Sequence, residues 1–276
     1  MRRIPVFCSS LLLLVLLPCG LASAQNPAPA SGLNLAQIQE VQPAPPRPPV
    51  SLTTATPQEL EARGDELRDV KDYLQAIDYY NAAIRRQPTA VLQNKIGMAY
   101  ISMQRYDKAQ DALKRAIKMN KTYAEAYNNL GVVYHLKKKY GPAVKNYRKA
   151  LELNEQSASF HSNLGTVYIE RKEYEKGTAE YQRAFDLDPS VFERSSRSGV
   201  SARMSSPEDR ARFNYLVARL YAKQGNLDKS LLYLRRAMEE GFPDIGKVYT
   251  DAEFATLRAD QRFTELMAVR PPAIPQ

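Results

Sequence analysis

Four glycines, Gly64, Gly97, Gly131 and Gly165, stand 33, 34 and 34 residues apart, and Ala83, Ala116, Ala150 and Ala184 keep the same three intervals. Another small residue falls twelve positions after each glycine: Ala76, Ala109, Ala143 and Gly177. An aromatic residue or leucine sits three positions after it (Leu67, Tyr100, Tyr134, Tyr168), and tyrosine recurs nine after it (Tyr73, Tyr106, Tyr140, Tyr174). A register held over four units constrains the fold more than composition does. A unit of this length cannot bury its apolar face alone, so the units must stack and share one core. The spacing predicts two antiparallel helices per unit: a small residue on the first faces a small residue on the second, and a third small position admits the next unit. With only 12 glycines in 276 residues and no long segment alternating at period two, a large sheet is not expected.

The pattern is clearest in Tyr127-Asn128-Asn129-Leu130-Gly131-Val132-Val133-Tyr134 and Tyr147-Arg148-Lys149-Ala150-Leu151-Glu152-Leu153. At these residues the chain resembles the tetratricopeptide repeat (TPR) family, in its bacterial exported type. The resemblance implies an all-α fold, an α-solenoid of stacked helix-turn-helix repeats closed by a C-terminal helical cap. Repeat starts fall at Pro57, Ala90, Ala124 and Ala158, and the family's unit-end proline is present as Pro88 and Pro189. The chain departs from the family with Lys121 and Glu155 at two unit ends, and with Leu60, Gln93, Tyr127 and His161 where tryptophan is usual. A fifth unit carries Ala218, Tyr221, Ser230, Leu234 and Ala237 in the same register, delayed by an insertion rich in serine. Thr56-Pro57-Gln58-Glu59 and Ser206-Pro207-Glu208-Asp209 both place a hydroxyl cap before proline and an acid, so both read as helix starts, the second heading a small subarray. The expected organisation is repeats one to four over 57–190, a Ser-rich loop over 191–206, a fifth repeat over 207–242, capping helices over 243–270 and a disordered tail over 271–276. Residues 251–258 and 260–267 are the two short helices expected in the cap.

Ahead of the repeats, Arg2 and Arg3 precede the apolar run Leu11 to Leu17, and Ala22-Ser23-Ala24 supplies small residues for a signal peptidase. Residues 1–24 thus read as a signal peptide, cleaved before Gln25, which makes the protein secreted or periplasmic. The alternative is a lipoprotein anchored at Cys19, but Pro18 stands where Gly, Ala or Ser normally precedes the lipidated cysteine. Cleavage removes both cysteines, Cys8 and Cys19, so packing alone would hold the exported chain together. Residues 25–56, with seven prolines, read as a disordered, extended linker of polyproline type, a tether or a docking motif.

Little in the composition supports catalysis. His135 and His161 are the only imidazoles, and their offset along parallel first helices separates them by about 12 Å, too far to share an ion. Neither a serine-nucleophile elbow nor a phosphate loop is present, and Glu170 with Glu173 reads as a solvated helix end. No enzyme activity, cofactor or metal is expected.

Two surfaces remain. The resemblance implies a concave groove lined by the first helices, comprising Val91, Asn94, Met98 and Ile101, then Glu125, Asn128, Asn129, Val132, His135 and Leu136, then Ser159, Ser162, Asn163, Thr166, Ile169 and Glu170. Apolar side chains interspersed with amides suit an extended peptide, because an amide both donates and accepts without burying charge. The Lys and Arg clamp of some relatives is missing, with Met98 at one of its positions. Stacked amides at Asn129 and Asn163 are expected to bind the partner, so that replacing both by alanine leaves the melting midpoint nearly unchanged. The second surface is basic: Lys114, Arg115, Lys137, Lys138, Lys139, Arg148, Lys149, Arg183, Arg235 and Arg236. The formal charge of +9 falls by two once Arg2 and Arg3 are removed. The leading expectation is an exported, non-catalytic scaffold or adaptor that holds a protein or peptide segment in the groove. The competing one is an envelope-associated structural protein that meets anionic polymer or lipid through the basic face. Nucleic acid is not an expected partner, and any membrane contact would be made without spanning.

Overall fold

The computed structural model describes residues 50–193, 204 and 206–269. The expected leader, most of the Pro-rich linker, the centre of the Ser-rich insertion and the C-terminal tail lie outside the described residues. All described residues fall in one compact unit, Pro49–Gln276. Among them the regular structure is helical, with no strand.

Five helix-turn-helix pairs run in chain order: α1 (Pro57–Asp69) with α2 (Tyr73–Arg86), α3 (Ala90–Ser102) with α4 (Tyr106–Met119), and α5 (Ala124–Leu136) with α6 (Tyr140–Leu153). They continue as α7 (Ala158–Glu170) with α8 (Tyr174–Leu187) and α9 (Pro207–Gln224) with α10 (Leu227–Glu239). Each second helix packs on its own mate and on the first helix of the next pair, which makes the stack an α-solenoid. At the first start, the Thr56 hydroxyl accepts from the Glu59 N–H while the Glu59 side chain accepts from the Thr56 N–H, with Pro57 at the first helical position. Ser206 caps α9 in the same position by accepting from the Asp209 N–H at 3.0 Å.

The recurrent glycine has a steric cause. A Cβ placed on Gly64, Gly97, Gly131 or Gly165 would lie 2.5, 2.7, 2.7 and 2.7 Å from the side chains of Tyr80, Leu113, Tyr147 and Tyr181. These four large residues each follow their glycine by sixteen positions, and all are fully buried. One bulky side chain from the second helix thus occupies the space that any side chain on the first would need. The turns are equally regular. Lys71, Gln104, Lys138 and Lys172 take left-handed backbone angles, φ 66°, 58°, 56° and 62°, and Gly225 takes the equivalent place in the fifth pair. The next N–H then reaches back to a carbonyl of the last helical turn, as Lys139 does to Tyr134 at 2.8 Å and Asn226 to Tyr221 at 2.9 Å.

Three boundaries differ from the sequence reading. Residues 50–56, expected to be part of the disordered linker, are seated on α2: the Tyr79 hydroxyl donates to the Val50 carbonyl at 2.9 Å and Arg86 to the Leu52 carbonyl at 3.1 Å. Val50 and Ala55 pack on the core of the first pair, because α2 offers both apolar surface and donors for the bare carbonyls. The Ser-rich insertion starts as packed structure, since the Phe192 ring lies 5.5 Å from both Tyr181 and Phe213. Residues 194–203 and 205 are outside the described residues. Those aromatic contacts, with Ile169, Tyr181 and Phe185, join the fifth pair to the fourth in one core, so α9 continues the array and heads no separate subarray. The cap contains two 3-10 turns, Ile245–Tyr249 and Ala252–Phe254, then α11 (Ala255–Arg258) and α12 (Gln261–Val269). The helix expected over 251–258 therefore begins as a 3-10 turn. Phe254, Leu257, Phe263, Leu266 and Met267 from the cap close the apolar end of the fifth pair.

Candidate partner-binding face

Stacking sets the first helices α3, α5 and α7 side by side, and a directional ladder of amides crosses them. Asn163 donates to Asn128 at 2.9 Å, Asn128 to Asn129 at 3.2 Å, and Asn129 to Asn94 at 2.9 Å. Asn94 in turn reaches the Tyr123 hydroxyl at 3.4 Å. All four asparagines are buried. A carboxamide has two N–H donors and two lone pairs, so each can pass one bond along the row and keep further capacity. Burial, reinforced by the charge of Glu125, pushes the Tyr123 phenol up to about 12, so this end of the row stays neutral.

Both lateral bonds of the ladder join residues 35 apart, one period plus one position. The same offset unites His135 and Glu170: the imidazole Nε2 lies 2.6 Å from the carboxylate, and the side chains are 3% and 2% exposed. Glu170 is thus no solvated helix end, because the α5 to α7 contact sequesters it; Glu173 stays near the surface, 2.7 Å from Arg171 and 2.6 Å from Lys176. Burial pushes the Tyr147 phenol up, and the Glu170 charge adds to the effect. His161 is spent in the same way, 2.6 Å from Glu180 and 3.0 Å from the Glu155 carbonyl. Among the described residues no group of three or more His, Cys, Asp or Glu could hold a metal ion.

The side chains expected to line an open groove divide into two sets. Asn94, Ile101, Asn128, Asn129, Val132, His135, Asn163, Thr166 and Ile169 are buried, and their side-chain polar groups are engaged save Nδ1 of His135, which has no hydrogen-bond partner among the described residues: the Thr166 hydroxyl, for instance, donates to the Ser162 carbonyl at 2.9 Å. The expectation that Asn129 and Asn163 present their amides to a partner is corrected by the ladder, which joins them to the neighbouring helices. Met98, Glu125, Leu136, Ser159 and Ser162 are half-buried, and Val91 is exposed. They stand on the same three helices as the ladder, and the Met98 sulfur lies 3.7 Å from the Asn94 amide nitrogen. Sequence reasoning missed Lys95, which stands beside Asn94 and bridges Glu61 and Asp65 on α1 at 2.6 Å each. It also missed Glu170 as the mate of His135, although the 35-residue offset was the available signal.

The basic set is less uniform than its sequence suggests. Lys137 lies 2.5 Å from Asp107, Lys149 2.8 Å from Glu152, and Arg183 3.0 Å from Glu180. Arg148 donates to the Tyr168 hydroxyl at 2.6 Å, Arg115 to Gln93 at 3.1 Å, and Arg236 lies over the Tyr233 ring. Lys114, Lys138, Lys139 and Arg235 are exposed. Lys137, Lys138 and Lys139 occupy the turn between α5 and α6, whereas the other members of the set lie on second helices.

The geometry defines a repeat protein whose first helices form a common face, and family models agree. Residues 88–156 match one tetratricopeptide repeat model, and residues 158–191 and 211–240 match another. The chain carries tetratricopeptide repeats. The first pair lies outside the matched spans, yet Gly64 meets Tyr80 there as the later glycines meet their partners. No curated protein matches the chain in sequence. Among solved structures, that of MamA is similar at 23% identity and a TM-score of 0.45, covering 64% of this chain and 93% of that one. YrrB, described as a TPR protein with an unusual peptide-binding site, is similar at 17% identity and 0.43, covering 72% and 90%. The first TPR of Spaghetti (RPAP3), bound to an HSP90 peptide, is similar at 22% and 0.41, covering 45% and 97%.

Proposed function

We propose that the chain is an exported, non-catalytic scaffold that seats a protein loop or extended peptide segment along the first helices α3, α5 and α7. The observation that carries this reading is the buried amide ladder rimmed by half-buried Met98, Glu125, Ser159 and Ser162. An incoming main chain needs donors and acceptors close to apolar surface, and such a rim offers both with little charge to desolvate. The ladder fixes the spacing of the three helices, and the rim makes the contact. Repeat folds serve many functions, so it is the site rather than the fold that supports this reading. Export rests on the leader, and it implies a protein that begins at Gln25 without lipid.

The test is Glu125→Arg combined with Ser162→Arg. Both positions are half-buried and outside the ladder, so helicity and melting midpoint should hold while partner capture falls at least tenfold. Retention of every partner would sink the groove reading. Capture that collapses between 50 and 500 mM salt would instead favour the basic face, because binding by counterion release falls steeply with salt.

A further inference from the structure

The seam between α10 and α12 is unfilled. Asp228, Leu231, Leu232 and Arg235 on α10, and Arg262, Glu265, Leu266 and Val269 on α12, line one cavity of about 420 Å³. On each helix the four residues follow the spacing i, i+3, i+4, i+7, which places them on a single stripe. Leu231 and Leu266 form the floor, and Leu232, 45% exposed, and Val269, 77% exposed, stand at the mouth. The rim holds two acids and two arginines, so the patch is neutral on a chain whose formal charge is +9. Copies of a cationic chain repel one another least where the local charge cancels. A patch that carries both signs beside an apolar centre is also self-complementary, as a two-fold interface requires.

We infer that this seam is a self-association face, on which a second copy of the chain docks about a two-fold axis near Leu232. Arg262 is already held by Asp228 at 2.5 Å and by Asp260 at 2.7 Å, whereas Glu265 accepts from the neutral Gln261 amide at 2.9 Å, which leaves Arg235 as the cation to meet Glu265 of the partner subunit. Eight lining residues a side is well short of the roughly 20 to 30 of a standard stable interface, so the dimer is weak and concentration-dependent. Sedimentation equilibrium of the purified protein from 5 to 500 μM tests this. The wild type should shift from monomer to dimer, and Leu232→Glu, at an exposed position, should stay monomeric with unchanged helicity. Arg235→Glu and Glu265→Arg should each weaken self-association by tenfold or more, while a mixture of the two variants should associate again, since every cross pair is then opposite in charge. A wild type that stays monomeric at 500 μM overturns the inference. So does a mixture no tighter than its components, or dimerisation that appears only when residues 271–276 are deleted, which would make the chain's own tail the occupant.

Discussion

At the scale of single residues, the account turns on where polar atoms go once helices stack. Asn129 accepts from Asn128 and donates to Asn94, so it is the middle rung of the row. Asn129→Ala would strand a donor and an acceptor in a buried setting, at about 1–3 kcal/mol for each group left unmade. For a domain of this size 1 kcal/mol is worth about 2–4 °C, so calorimetry should show a midpoint lower by several degrees. An unchanged midpoint would mean that the ladder does not hold the helices. The sequence alone suggested the reverse, because position in a repeat tells which helix face a residue occupies but not whether a neighbour reaches it. His135 and Glu170 make the same point: the imidazole was visible, while its partner lay one repeat and one residue further on.

At the scale of the helix pair, the sequence was far more legible. Glycine every 33 or 34 residues marks the close approach, and the left-handed turn residue recurs with it. Gly131→Ala should therefore be costly even though alanine favours helix, because its Cβ would come within 2.7 Å of the fully buried Tyr147 ring. Overpacking of this kind costs about 1–3 kcal/mol against less than 1 kcal/mol of helix propensity gained. The expected outcome in urea is a lower unfolding midpoint; a variant as stable as the wild type would show that the pair can open without penalty. What local pattern could not show was the fate of segments that have no repeat of their own. Val50 to Ala55 and Phe192 are held by tertiary contacts with α2 and α9, and neither their composition nor their spacing announces that.

At the scale of the whole chain, the five pairs and their cap share cores that pass from one pair to the next, with Ile169, Tyr181 and Phe185 tying the fifth pair to the fourth. A continuous array of this kind keeps the spacing between successive first helices constant, and a constant spacing allows one extended segment to meet several repeats at once. In the proposed function the rim residues on that face make the contact, and the fold's contribution is to hold them in line. Site-specific photocrosslinking in the producing cell tests this most directly, with a photoreactive residue placed in turn at Ser162, at Glu125 and at the exposed second-helix position Lys114. The account predicts protein adducts at 162 and 125 and none at 114. Adducts at 114 alone, or equally at all three positions, would contradict it.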